Sequence, residues 1–122
     1  MEKYKIIYST VEKKKDAEKI AKILINEKLA ACVNIFKINS IYRWKGKIIE
    51  SEEYAFIIKT KNSLINKVMK RIKEIHPYEI PCIICFNIEK GYDKFLNWID
   101  KELALEKTTL NNKRVNNSII SE

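Results

Sequence analysis

Two long runs of apolar and β-branched residues, joined by one short turn, constrain this chain more than any other feature. Ala30 to Trp44 holds Val33, Ile35, Phe36, Ile38, Ile41 and Tyr42. Ile48 to Thr60 holds the unbroken stretch Tyr54-Ala55-Phe56-Ile57-Ile58. Lys45-Gly46-Lys47 between them is a hairpin signal. Both runs are longer than the usual strand of about five or six residues, so a bend or bulge is expected near Lys37-Ile38-Asn39. A strand apolar on both faces, as Tyr54 to Ile58 must be, is a central strand covered from both sides.

The other elements arrange themselves around this hairpin. Tyr4 to Tyr8 reads as a short buried strand. Residues 13–28 read as a helix, with Ala17, Ile20, Ala21, Leu24 and Ile25 on one face. A second helix covers 63–75, with Asn62 or Ser63 as its cap and His76-Pro77 as its stop. Ile80 to Ile88 is the fourth strand, and Asp93 to Leu103 the third helix. The order β-α-β-β-α-β plus a helix predicts an α+β, ferredoxin-like sandwich. Two helices hide one sheet face. Phe36, Tyr54, Phe56 and Ile58 exceed what that layer hides, so a second subunit is expected over the other face.

With 122 residues the chain is one domain, residues 1–103, followed by a polar tail over 104–122. Its net charge is +8, carried mostly by lysines spread along the whole length. Nucleic-acid binders cluster arginine and aromatics on one element, so no nucleic-acid partner is expected. No apolar run approaches the roughly 20 residues of a membrane span. Met1-Glu2-Lys3-Tyr4-Lys5 lacks the apolar stretch of a secretory signal, so a cytoplasmic protein with reduced thiols is expected. Cys82-Ile83-Ile84-Cys85 has the C-x-x-C spacing, but residues i and i+3 of a strand point to opposite faces. With one His and no Gly-x-Ser-x-Gly turn, no catalytic triad can be chosen, and the chain is not expected to be an enzyme.

Leu29-Ala30-Ala31-Cys32-Val33-Asn34-Ile35, the hairpin Ser40-Ile41-Tyr42-Arg43-Trp44-Lys45-Gly46-Lys47-Ile48, Lys59-Thr60, His76-Pro77-Tyr78-Glu79-Ile80-Pro81 and Phe95-Leu96-Asn97-Trp98-Ile99 follow one another at specific spacings. This set resembles the CutA family of divalent-cation-tolerance proteins over about residues 4–103. The resemblance implies a homotrimer, a role in the response to metal ions, and copper or another divalent metal as ligand. The architecture is also similar to trimeric PII-type signalling proteins, so the alternative is an effector-binding signalling trimer. Some family members use a Cys and two adjacent His as copper ligands. The matching positions here are Ser9, Ile75 and His76, which leaves His76 alone.

Cys82 departs from the family's acidic residue. It suggests a soft-metal set of His76, Glu79 and Cys82; the other reading makes His76 a hydrogen-bonded helix stop and Cys82 a packed strand residue. Tyr42, Trp44 and Trp98 are expected at an interface between subunits. Lys59, Tyr78 and Glu79 either line an intersubunit cleft or are structural, with Lys59 ion-paired to Glu79 or Glu53.

Overall fold

The computed structural model of the chain describes residues 3–104. Its elements are β1 (Tyr4–Val11), α1 (Lys14–Asn26), β2 (Cys32–Trp44), β3 (Lys47–Lys61), α2 (Ile65–Ile75), β4 (Ile83–Asn87) and α3 (Asp93–Leu103). The sheet order is β2-β3-β1-β4, with every neighbouring pair antiparallel. This is the α+β, ferredoxin-like arrangement that the element order predicts, with the extra helix α3. The tail expected over 104–122 lies, beyond Ala104, outside the described residues.

The core follows from two periodicities. α1 buries Ala17, Ile20, Ala21 and Leu24, and α2 buries Val68 and Ile72. Alternate strand residues face them: Ile7 and Val11 from β1, Phe56 and Ile58 from β3. Phe56 and Ile58 are therefore beneath the helices, not on the second sheet face, and Tyr54 packs against the same cluster. Of the four residues expected on the second face, only Phe36 is there. The register sets Phe36 opposite Ala55, Tyr8 opposite Ile57 and Ile84 opposite Tyr8. Phe36, Ile84 and Phe86 on this face stay exposed.

α3 crosses one end of that second face. The Tyr4 hydroxyl donates to Asp100 at 2.5 Å, and the Lys59 ammonium lies 5.3 Å over the Phe95 ring. Ile99 and Leu103 are buried by this docking.

The hairpin shows no bulge. Its register runs unbroken from Cys32 opposite Lys59 to Trp44 opposite Lys47. β1 ends with Val11 opposite Tyr54, so Ile38 to Trp44 and Lys47 to Glu53 project beyond it as a two-stranded arm. No third strand constrains the arm, so the extra length becomes an overhang. At roughly 3.3 Å per residue it reaches about 23 Å. Its tip is a two-residue turn with Lys45 at φ 50° and Gly46 at φ 80°, the positive angles that suit strand twist.

Two smaller expectations also shift. β4 is Ile83–Asn87, shorter than the predicted Ile80 to Ile88, because β1 offers partners only from Lys5 to Ser9 and Pro81 has no N–H to give. Asn62 and Ser63 do not cap α2. They form a 3₁₀ turn with Leu64, which precedes α2 without a side-chain cap.

Phe56 is fully buried at the centre of the core. Phe56→Ala is expected to cost about 3–5 kcal/mol, read as a lower urea midpoint with an unchanged slope.

Candidate functional site

The segment after α2 is set by its histidine. His76 takes an extended conformation (φ −76°, ψ 136°), as a residue before proline must. Its Nε2 lies 2.8 Å from the Thr10 carbonyl oxygen, and its Nδ1 accepts the Tyr78 backbone N–H at 3.0 Å. Because Nδ1 accepts, the ring proton sits on Nε2 and donates to Thr10. His76 is 9% exposed, and burial holds its pKa below the usual histidine value. The Tyr78 ring stands edge-to-face with the imidazole at 4.9 Å. The Tyr78 hydroxyl donates to Glu53 Oε2 at 2.5 Å, and burial, then this bond, push its pKa far up.

Thr10, Glu53 and Tyr78 help to line a cleft of about 810 Å³. Tyr8 and Thr10 of β1 and Glu53 of β3 make its floor. Ile38, Ser40, Tyr42 and Trp44 of the arm make the second wall. Tyr78, Glu79, Ile80 and Cys82 make the opposite one. The alternation of β1, β2 and β3 puts all the floor and arm side chains named here on the sheet face away from α1 and α2.

His76, Glu79 and Cys82 lie in one segment, but they do not make a ligand set within one chain. His76 spends both nitrogens on backbone groups. Burial, and secondarily Glu53, raise the Cys82 thiol above its usual value, away from the thiolate a soft metal needs. Among the described residues no group of three His, Cys, Asp or Glu is placed to hold a metal ion. A closed resident metal site therefore does not fit this subunit.

The other singled-out residues fall in two places. Tyr42, Trp44, Tyr78 and Glu79 line the cleft. Lys59 and Trp98 are at α3, where Trp98 stacks on Phe95 at 5.6 Å and Lys59 faces the same ring. Lys59 forms no ion pair with Glu79 or Glu53; it sits opposite Cys32, six residues along β3 from Glu53. Tyr8, Thr10 and Glu53 were not legible as site residues. A signal existed for Glu53, a carboxylate on the same strand face as Ala55 and Ile57.

The profile of the family described as CutA1 divalent ion tolerance protein matches residues 5–102. This chain belongs to that family. It is 45% identical over 98 residues to the divalent-cation tolerance protein CutA of Archaeoglobus fulgidus, covering 80% of this chain and 96% of the relative. The corresponding Pyrococcus horikoshii protein is 38% identical over 97 residues, covering 80% and 95%. Among solved structures, CutA1 from Ehrlichia chaffeensis superposes with a TM-score of 0.82 at 39% identity, covering 86% of this chain and 99% of that one.

The depressed His76 pKa means that the folded chain prefers neutral imidazole. Its contribution to stability is present above the unfolded value near 6.5 and is lost as pH falls from there toward the folded value. Urea midpoints at pH 7.5 and 5.5 are expected to show parent and His76→Gln converging at the lower pH. A constant gap would mean that the imidazole proton plays no part.

Proposed function

We propose that this chain is the subunit of a cytoplasmic homotrimer that works in the response to divalent metal ions, copper among them, as a binding protein and not an enzyme. The observation that carries the reading is the match to divalent-ion tolerance proteins over nearly the whole described chain. The arm supports the assembly. A two-stranded ribbon is marginal alone in water, and this one exposes Ile41 and Ile48 on one face and Tyr42 and Trp44 on the other. Neighbouring subunits covering both faces would also put the cleft at a seam.

In this reading the ion is a ligand met at the seam and not a resident cofactor. Glu79 and Cys82, with Glu53 behind them, are the donors that one subunit brings, and the adjacent subunit supplies the rest. His76 holds the segment in place. Cys82 must lose its proton to bind a soft ion, so uptake strengthens as pH rises. A second reading, an effector-binding trimer, is favoured by the size of the cleft, which is that of a small-molecule site and far beyond an ion's needs. Nucleotides in a thermal-shift screen separate the two.

Light scattering of the full chain is expected to give three times the subunit mass, and Trp44→Ala a smaller species. Titration with Cu(II) and Zn(II) is expected to show uptake weakened several-fold by Cys82→Ser or Glu79→Gln. Uptake unchanged in both variants would remove the cleft from the metal response.

A further inference from the structure

Glu53 is the least ordinary charged group in the molecule. It is 7% exposed, and its one hydrogen bond, from the Tyr78 hydroxyl, engages Oε2 only. Among the described residues it has no cationic partner, in a chain with 24 lysines and arginines. Burying a carboxylate without a countercharge is costly, so a neutralising cation from outside would complete the site. None of the described lysines or arginines lines the cleft, whereas Glu53 and Glu79 both do.

The surroundings say which kind of cation. Tyr8, Tyr42 and Tyr78 bring aromatic rings to the lining, which as a whole is more apolar than polar. A hydrated metal ion gains little from such walls, and among the described residues no three His, Cys, Asp or Glu are placed to hold one. An organic ammonium loses less hydration, is attracted to aromatic faces, and can lay an apolar body along the arm while its nitrogen reaches the carboxylate.

We propose that the cleft between the arm and the His76–Cys82 segment binds a small organic ammonium compound, its cationic nitrogen paired with Glu53 and its apolar body held among the tyrosines. The site stands on the geometry of the single subunit and does not require that a metal ion bind.

Calorimetric titration of the full chain with benzylammonium, benzyl alcohol and ammonium chloride tests it. Benzylammonium is expected to bind roughly tenfold or more tightly than either control, which lack the charge or the apolar body. Glu53→Gln, which keeps an acceptor for Tyr78, is expected to remove that preference. Tyr8→Leu provides an independent variant should Glu53→Gln fail to fold, and is expected to weaken benzylammonium more than ammonium chloride. Equal affinity for benzylammonium and benzyl alcohol, or no binding by the parent because a neighbouring subunit's lysine already fills the site, overturns the proposal. A parallel Zn(II) titration keeps the two readings apart, since metal uptake without ammonium binding sinks this inference and leaves the metal reading standing.

Discussion

Every residue of β3 finds a strand partner, because β2 pairs with Lys47 to Lys59 and β1 with Tyr4 to Val11 pairs with Tyr54 to Lys61. The stretch Tyr54 to Lys59 is thus paired on both edges, with α1 and α2 on one side of it and the cleft and α3 on the other. Below Tyr54 the support stops. β3 continues with β2 alone, and the same strand that anchors the core becomes half of an arm with two apolar faces. Core, cleft and association surface are successive segments of one strand. A change of one residue in its register would turn Phe56 and Ile58 out of the core and Glu53 into it.

The link between helix and cleft is short. α2 ends where His76 must turn extended before Pro77, and the turn is fastened by the Thr10 carbonyl on one ring nitrogen and the Tyr78 N–H on the other. Tyr78 then reaches Glu53 across the cleft floor. β1, the loop after α2 and β3 are therefore tied by three hydrogen bonds, two of them made by one imidazole. Cys82 sits at the end of this segment, where burial pushes its thiol pKa up. The arrangement favours a preformed cleft over a metal cage, since its one imidazole serves the backbone.

Charge is distributed to the same effect. Lysines lie around the outside, and several are paired there. Asp100 accepts Lys3 at 3.0 Å and Lys61 at 3.7 Å, beside the Tyr4 hydroxyl, which pins α3 to the ends of β1 and β3. Arg71 grips Glu27 through both Nε and an Nη at 2.9 and 2.8 Å, joining α2 to the end of α1. Such partly exposed pairs each contribute little to stability. Among the described residues, the acidic, aromatic cleft has no basic side chain in its lining.

Sequence alone determined the element order, the faces of α1 and α2, the hairpin at Lys45-Gly46, the stop at His76-Pro77 and, through the motifs from Leu29 to Trp98, the family. These follow from local periodicity, proline and glycine chemistry and short-range spacing, all of which act within a few residues. It misplaced Phe56 and Ile58, supplied a bulge the hairpin lacks and overextended β4, because apolar composition does not say which face of a two-sided strand lies under the helices or where a partner strand ends. Only the tertiary structure decided that both His76 nitrogens are spent on backbone, that Lys59 and Trp98 belong with α3, and that Glu53 lies buried beside Tyr78. Those facts rest on contacts between segments far apart in the chain, such as Thr10 with His76 and Glu53 with Tyr78, and no local pattern carries them.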